Sequence, residues 1–426
     1  MIKPRLSSLL FLVATLGTTL CAGAVAPSQL PPDAKVAIIG DSITEQKQYS
    51  KFIESYLLAC LGRKDISCFQ FGWSGETAAG FKARLENDLS VFNPTVVTLC
   101  YGMNDGRYVP YAEAIGADYA ANMKAVLTKL QALGVKNIVV GTPGAVDTKY
   151  FMKASGTTPD QYNDNLAHLA ALDQKMAEEM KLAFTNVHTL MIDAMTKGKA
   201  ANGADYDVCG KDGVHPGANG HLLMAMAYLK GLGCDGNIGE ITIDLKGQSV
   251  ASPGHKIIGN NGGSVELEST TWPFCFDADP KASGSTRSIL PFCSFNDDLN
   301  RLTLRVKNLT AAKAKVTWGT ESKEFSKEQL AAGINLAAEF PKTPFDEAFM
   351  KFMNGIAAKQ AYETPMIKGM VTNFRNFEAD IKEDAEFAAA LGTLKKKMLA
   401  KQQKLDAAAR VNLVPVKHTL TVEAMK

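Results

Sequence analysis

The sequence predicts an α/β fold: a parallel sheet with helices on both faces, followed by a smaller β-rich domain with a helical segment. Two observations favour it. Before Gly236, short apolar runs alternate with stretches that have helical spacing, as in a parallel α/β sheet. After Gly236, strand-like runs separated by Gly, Asn and Pro turns replace that alternation, and from Pro344 the pattern becomes helical.

The N-terminus is typical of a secretory signal peptide. Lys3 and Arg5 precede an apolar stretch, Leu9 to Leu20, that is too short to span a membrane comfortably. Small residues then offer a cleavage site near Ala24 or Ala26. We therefore expect a secreted or periplasmic protein. The predicted parts of the chain are residues 1–26 (signal peptide), 34–234 (α/β domain), 237–343 (β-rich domain), 344–410 (helical segment) and 411–426 (a strand returning to the β-rich domain).

The charge balance gives no reason to expect a polyanionic partner. The chain has 46 Lys and Arg residues against 44 Asp and Glu residues, a net charge of +2. No nucleic-acid partner and no stable membrane insertion are expected from this balance and the absence of another long apolar run. The oligomeric state is left open.

The cysteines suggest disulfides if the protein reaches an oxidising compartment. Eight are present, or seven once Cys21 leaves with the signal peptide. Proximity in sequence favours three pairs. These are Cys60 with Cys68, Cys209 with Cys234, and Cys275 with Cys293. Cys100 lies in an apolar strand pattern and is the expected free, buried thiol.

The α/β part is expected to contain five strands with helices between them. The predicted strands are Val36 to Ile39, Ile66 to Phe71, Val96 to Cys100, Asn137 to Val140 and Val187 to Leu190. The predicted helices are Glu45 to Leu61, Ala112 to Leu133, Tyr162 to Leu182 and Ala218 to Leu229.

Strand-like runs continue in the C-terminal half. They are Ile241 to Leu245, Val265 to Leu267, Leu302 to Val306 and Lys315 to Trp318. Val411 to Val422 reads as a strand that returns to the β-rich domain. Pro415 within it favours an edge position, because proline cannot donate a ladder hydrogen bond.

Four short motifs stand at the predicted ends of these elements. They are Gly40-Asp41-Ser42-Ile43-Thr44, Ser74-Gly75-Glu76-Thr77, Gly102-Met103-Asn104-Asp105 and Asp212-Gly213-Val214-His215-Pro216. The first three each follow a predicted strand, so they are expected to meet at the carboxyl edge of one parallel sheet. The fourth precedes the last helix of this part.

Together the motifs contain the groups needed for acyl transfer. A serine hydroxyl such as that of Ser42 becomes a good nucleophile when an imidazole takes its proton. His215 is the candidate base, and Asp212, three residues earlier, is the candidate carboxylate that orients it. The N–H groups of Ser42 and Gly75 and the side-chain amide of Asn104 are candidate donors to an oxyanion. An isolated Asp41-Ser42 would instead only cap a helix.

This combination resembles the SGNH hydrolases, the GDSL esterase/lipase family. The resemblance covers about residues 35–233 and implies a flavodoxin-like sheet, Ser42 as nucleophile, Gly75 and Asn104 as oxyanion donors, His215 as base and Asp212 as its partner. The chain departs from the family pattern at Ile43 and at Glu76, where the family often has Leu and Asp. Trp272-Pro273-Phe274 and Leu290-Pro291-Phe292 are similar to stretches in secreted bacterial members with a C-terminal β-rich extension.

The resemblance implies a secreted serine esterase acting through an acyl-enzyme on short acyl esters, above all acetyl groups on a carbohydrate. No cofactor and no metal are expected. The partner is a small-molecule or polysaccharide ester. Two alternatives stay open at this point: a lipase or thioesterase for longer chains, and a non-catalytic protein that binds a glycan or a surface.

Other residues have weaker functional signals. Asp205, Asp207, Cys209 and His215 do not match a standard zinc spacing. His168, His188 and His221 are expected to be structural or surface residues, and His255 and His418 show no partner in the sequence. Trp73, Tyr101, Arg107 and Tyr108 flank the predicted site and are interpreted either as a substrate wall or as packing residues.

Overall fold

A computed structural model describes residues 30–152, 155–277 and 284–425. The predicted signal peptide, residues 1–26, lies outside the described residues. Across the three described ranges, no helix has the length and apolar character needed to cross a bilayer.

The N-terminal part of the chain alternates between strands and helices. In chain order its elements are β1 (Lys35–Gly40), α1 (Ser42–Glu45), α2 (Tyr49–Ser55), β2 (Ser67–Gly72), α3 (Ala78–Leu89), β3 (Val96–Cys100), α4 (Glu113–Ala132), β4 (Asn137–Gly141), α5 (Pro159–Met180), β5 (Ala183–Thr185), α6 (Val187–Asn202) and α7 (Ala218–Gly231). The five strands are all parallel and lie in the order β2-β1-β3-β4-β5. This is the doubly wound, flavodoxin-like order, so the predicted fold class is confirmed.

Burial explains why these apolar runs form the middle of the sheet. Every residue of β3 is buried, and so are all residues of β1 after Lys35. Helices cover both faces, as a parallel sheet requires. Because ligands of such sheets bind at the carboxyl ends of the strands, the loops after β1, β2 and β3 are the relevant ones for function.

Two local predictions in this part are wrong. The strand expected at Val187 to Leu190 is the start of α6, and the fifth strand is the preceding three residues, Ala183–Thr185. The reason is a helix cap, because the side chain of Asn186 accepts the N–H of Thr189 at 2.8 Å and starts the helix there.

The helix expected from Glu45 to Leu61 is interrupted. Lys47 has a positive φ of 58°, which separates α1 from α2, and α2 continues into a π-helical turn at Tyr56–Cys60. The helix also begins earlier than expected, at Ser42, because Asp41 caps it through the N–H of Ile43.

The C-terminal part contains two further sheets and a set of helices. In chain order its elements are β6 (Asn237–Asp244), β7 (Val250–Ala251), β8 (His255–Asn261), β9 (Ser264–Ser269), α8 (Phe295–Leu299), β10 (Arg301–Lys307), β11 (Lys313–Trp318), β12 (Glu321–Ser326), α9 (Lys327–Ala332), β13 (Ile334–Asn335), α10 (Leu336–Glu339), α11 (Asp346–Pro365), α12 (Glu378–Glu383), α13 (Ala385–Arg410) and β14 (Val416–Ala424). Short 3₁₀ helices span Thr286–Phe292 and Val371–Phe377, and a π-helical turn spans Met366–Met370.

The two sheets have the orders β13-β10-β6-β7 and β12-β11-β14-β9-β8. The second is antiparallel throughout, whereas β6 and β10 in the first run parallel. The last strand corrects a prediction: β14 lies between β11 and β9, so it is a central strand and not an edge strand. Pro415 precedes the strand and therefore removes no ladder hydrogen bond.

The C-terminal part packs tightly on the α/β part. One continuous apolar core joins Val36 and Tyr56 to Trp272 and Phe274, while a second core joins the other sheet face to Met366. α11 packs on α2, on β2 and on α13. The two parts therefore share their hydrophobic cores.

The expected disulfides are absent from the described residues. All seven described cysteines, including Cys100, are free thiols. Cys60 lies in a helical turn and Cys68 in β2, so nearness in sequence does not bring their thiols together. Burial raises the pKa of the Cys60 thiol, and the thiols of Cys275 and Cys234, from a distant part of the chain, act in the same direction.

Candidate active site

Ser42 lies in the turn that follows the central strand β1. Gly40 ends the strand, and a side chain there would clash with Thr44 and come within 2.7 Å of the Cys100 carbonyl oxygen. Only glycine lets the ends of β1 and β3 approach so closely. Asp41 then caps α1 by accepting the Ile43 N–H at 2.9 Å, and Ser42 is the first residue of that helix.

A continuous chain of hydrogen bonds runs from Ser42 to Asp212. The Nε2 atom of His215 lies 2.8 Å from the Ser42 Oγ, and its Nδ1 atom lies 2.6 Å from Oδ2 of Asp212. An ionised carboxylate only accepts hydrogen bonds, so Nδ1 carries the proton. Nε2 of the neutral ring is then the acceptor for the serine hydroxyl.

The loop that carries Asp212 and His215 is held in a tight shape. Gly210 and Gly213 have φ values of 78° and 76°. A side chain on the first would clash with the His215 carbonyl oxygen, and one on the second would clash with the backbone of Phe151. The loop therefore needs glycine at both positions.

The surroundings of Asp212 favour the ionised form that its contact with the His215 ring needs. Partial burial tends to raise the pKa of Asp212, but hydrogen bonds from the N–H groups of His215 and Val214 and from the imidazole outweigh it. The pKa therefore lies below its usual value. Both N–H groups bind the Oδ1 atom, at 2.8 and 2.9 Å, which leaves Oδ2 for the ring.

Hydrogen bonds join the loops after β1, β2 and β3. The Trp73 N–H donates to the Gly40 carbonyl at 3.0 Å. The Nδ2 atom of Asn104 donates to the Glu76 carbonyl oxygen, also at 3.0 Å. Asp105 accepts the N–H groups of Ala78 at 2.9 Å and Gly102 at 3.0 Å. The structure thus brings together the three motifs that the sequence placed at this edge.

Two predicted oxyanion donors have no competing partner in the described part of the chain. The N–H groups of Ser42 and Gly75 make no hydrogen bond to any described residue. Gly75 has a φ of 72°, and apart from its two chain neighbours no described residue has an atom within 4 Å of the position of a side-chain Cβ. Asn104 uses one of its two amide hydrogens on Glu76, so the second is available.

Several residues that shape this site had no role, or only an open one, in the sequence-based prediction. Glu76, noted only as a departure from the family pattern, is clamped by Arg84 at 2.6 and 2.7 Å and by the Tyr101 hydroxyl at 2.7 Å. The Tyr108 hydroxyl donates to Oδ1 of Asn104 at 3.0 Å. Tyr101 is fully buried and thus a packing residue.

Buried carboxyl groups lie beneath the loops. Burial raises the pKa of Asp41 to about 7, and the carboxylates of Asp105 and Glu76 act in the same direction. Burial likewise raises the pKa of Asp105 to about 6. Hydrogen bonds from backbone N–H groups act in the opposite direction, that of Ile43 on Asp41 and those of Ala78 and Gly102 on Asp105.

The remaining histidines have structural partners. His221 is buried and hydrogen-bonded through Nε2 to Gln46 at 2.8 Å, and burial lowers its pKa to about 3. His255 and His418 both lie within 2.9 Å of the Ser269 hydroxyl in the C-terminal sheet. The partners of these last two come from other strands, so the sequence could not reveal them.

Comparison with known proteins decides the family. Residues 38–223 match the sequence profile described as the GDSL-like lipase/acylhydrolase family. The N-terminal domain belongs to this family. The match covers all four motifs, and it makes this GDSL-like protein a carboxylic ester hydrolase.

Two proteins that are similar to this GDSL-like protein cover different shares of its chain. The acetylxylan esterase of Geobacillus stearothermophilus is 24% identical over 220 residues, which are 47% of this chain and 94% of that protein. The solved structure of a gut microbial diltiazem-metabolizing enzyme has a TM-score of 0.70 and 21% identity, covering 95% of this chain and 99% of that one. The second shares the fold of almost the whole chain, including the C-terminal part.

Proposed function

We propose that the protein is a serine esterase in which Ser42 is the nucleophile, His215 the general base and Asp212 the carboxylate that orients it. The hydrogen-bonded chain from the Ser42 hydroxyl through both nitrogens of His215 to Asp212 carries this proposal. Such a chain gives the imidazole the tautomer it needs to accept the serine proton.

The reaction then has two halves. His215 takes the Ser42 proton as Oγ attacks the ester carbonyl, and the resulting oxyanion is bound by the N–H groups of Ser42 and Gly75 and by Asn104. The imidazolium returns the proton to the alcohol, which leaves, and an acyl-enzyme remains. Water attacks that ester with the same base, and the acid is released.

The proposed substrates are short acyl esters, with acetyl on a carbohydrate as the first choice. Support comes from the acetylxylan esterase of Geobacillus stearothermophilus, whose name states an acetylated carbohydrate as its substrate. The predicted signal peptide also suits a polymer met outside the cell, so secreted or periplasmic localisation is part of the proposal. An intact mass beginning after Ala24 or Ala26 in exported protein would support it, and retention of residues 1–26 would contradict it.

Hydrolysis of p-nitrophenyl esters from acetate to palmitate tests the proposal, with wild type and Ser42→Ala side by side. We expect activity that is highest on acetate, falls with chain length and disappears in the variant. A maximum on long chains would move the assignment to a lipase or thioesterase. Unchanged activity in Ser42→Ala, or no hydrolysis of any ester by the wild type, would overturn the serine esterase mechanism.

The carbohydrate is tested separately by acetate release from acetylated xylo-oligosaccharides. Turnover faster than that of p-nitrophenyl acetate at equal concentration is the expected result. If wild type cleaves the synthetic ester and releases no acetate from the oligosaccharides, the acetylated-xylan substrate is rejected while the mechanism stands.

A further inference from the structure

The helical segment after α11 reaches the loops of the candidate active site. Lys368, in the π-helical turn Met366–Met370, donates to both carboxylate oxygens of Glu45 at 2.9 Å. Glu45 is the last residue of α1, the helix that begins with Ser42. A cation from the C-terminal part therefore binds the helix that holds the proposed nucleophile.

The same carboxylate also holds the loop of Gly75. Oε2 of Glu45 accepts the backbone N–H of Ser74 and, at 2.5 Å, its hydroxyl. Ser74 immediately precedes Gly75. One side chain thus fixes the separation between the helix of the nucleophile and the loop that supplies an oxyanion donor.

The environment keeps Glu45 in the charged form that this bridge needs. Its side chain is 19% exposed and that of Lys368 is 27% exposed. Burial tends to raise the pKa of Glu45, but the hydroxyl of Ser74 and the ammonium of Lys368 outweigh it and hold the pKa below its usual value. A partly buried carboxylate without this cation would be less favourably ionised.

Lys368 also fixes the residue that comes before the loop. Its Nζ atom lies 5.0 Å from the centre of the Trp73 ring, and the Arg84 guanidinium lies 4.9 Å from the same ring. Cations over the face of an indole are attracted by its quadrupole. The backbone N–H of Trp73 in turn donates to the carbonyl of Gly40, at the end of β1.

We propose that Lys368 is a positioning residue for the esterase reaction, acting through Glu45 on the Ser74–Gly75 loop. The C-terminal helical segment then completes the active site and does not only cover it. This inference rests on the proposed function, because it takes the Gly75 N–H as an oxyanion donor. An oxyanion donor displaced by a fraction of an ångström loses much of its effect.

The test compares wild type with Lys368→Met, Lys368→Arg and Lys382→Met on p-nitrophenyl acetate. Lys382 makes an exposed ion pair with Glu378 in the same segment at 2.7 Å, so its variant removes a comparable bridge away from the loop. We expect Lys368→Met to lower kcat about tenfold with KM nearly unchanged, less than the loss of a whole donor. Lys368→Arg should restore most of the rate, and Lys382→Met should match wild type.

A double-mutant cycle with Glu45→Ala identifies the route. If Lys368 acts through Glu45, adding Lys368→Met to Glu45→Ala leaves kcat unchanged. Wild-type kcat in Lys368→Met, or an equal loss in the Glu45→Ala background, would overturn the proposal. Circular dichroism and a thermal melt show whether each variant is folded. Activity surviving in Ser42→Ala would instead contradict the proposed function, so the two failures are distinguishable.

Discussion

The amide of Asn104 is oriented by a neighbour held in a strained backbone. Arg107 and Tyr108 are consecutive residues with φ values of 59° and 56°, a region that bulky side chains rarely adopt. The hydroxyls of Ser155 and Thr157 donate to the Tyr108 carbonyl at 3.0 Å and hold this conformation. The strain, about 1 to 3 kcal/mol per residue, brings the Tyr108 hydroxyl to Oδ1 of Asn104.

Replacing Tyr108 by Phe should lower kcat about tenfold, because Oδ1 of Asn104 loses its donor and the amide keeps its bond to the Glu76 carbonyl without the second contact that fixes its orientation. Replacing Asn104 by Ala should cost roughly a hundred- to a thousand-fold, the scale for one oxyanion donor. In the Asn104→Ala background Tyr108→Phe should then have no further effect on p-nitrophenyl acetate hydrolysis.

Tyr111→Phe is the matched control, since the Tyr111 hydroxyl donates to Glu113, at 3.4 Å, outside the site. It should keep wild-type kcat. Independent, multiplicative losses in the Tyr108→Phe, Asn104→Ala double variant would show that Tyr108 does not act by orienting the amide.

At the scale of elements, side chains of α11 cover one edge of the five-stranded parallel sheet. β2 is an edge strand, and its outward backbone groups would otherwise lack partners. Lys359 donates to the Cys68 carbonyl at 2.7 Å, and Glu363 accepts the Gln70 N–H at 3.0 Å. Lys359 also forms an ion pair with Glu54 at 2.5 Å. Lys359, Glu54 and Glu363 therefore form a fully buried ionic cluster at this edge.

The cluster has more carboxylates than cations, which makes stability depend on pH. Burial raises the pKa of Glu363 to about 7, and Glu54 acts in the same direction, whereas the usual value is 4.5. The folded state therefore binds a proton that the unfolded state releases between these values. This contribution to stability is complete below pH 4.5 and is lost as the pH rises through 7.

Glu363→Gln should remove this dependence. Below pH 5 the variant should melt at nearly the wild-type temperature, because a protonated carboxyl and an amide are both neutral. Above pH 7 it should be the more stable protein, because it lacks the second buried negative charge of the cluster. Thermal melts from pH 4.5 to 8.5 measure the difference, and parallel curves for the two proteins would contradict this account.

The elements also show where sequence reasoning succeeds and where it fails. The parallel sheet follows from apolar runs such as Val96 to Cys100, whose length and β-branched content leave little choice. The fifth strand was misplaced because a single cap at Asn186 decides whether Val187 begins a helix. Such a cap is visible in the sequence but competes with a β-branched run of similar strength.

The motif residues of the site were predictable because chemistry restricts their types. Ser42, Asp212 and His215 lie where the sequence analysis expected them to meet. The contact between Lys368 and Glu45 was not predictable, because the two residues lie 323 positions apart and only the tertiary fold joins them. The cysteine pairs failed for the same reason, as contacts in space did not follow distance in sequence.

On the scale of the whole molecule, the α/β part has no complete core of its own. Trp272 and Phe274 belong to the same core as Val36, and Met366 and Phe374 to that of the opposite face. The acetylxylan esterase relative is matched over 94% of its length by only 47% of this chain. The C-terminal part of this protein therefore contributes to both hydrophobic cores and is not an appended module.

Truncation after Gly236 should accordingly prevent cooperative folding. Removing the C-terminal part exposes both cores and takes away Lys359, the ionic partner of Glu54. We expect the truncated protein to aggregate or to lack a sharp thermal transition, unlike the full chain. A soluble fragment with a cooperative melt near that of the full chain would show that the α/β part folds independently.

The proposed mechanism depends most directly on Ser42 being an activated nucleophile. A fluorophosphonate adds one phosphonyl group to such a serine, and peptide mass spectrometry locates it. We predict stoichiometric labelling at Ser42 in wild type, none in Ser42→Ala, and far slower labelling in His215→Ala, which keeps the hydroxyl but lacks the base. No labelling of the folded wild type, labelling at another residue, or equal rates in His215→Ala would contradict the account.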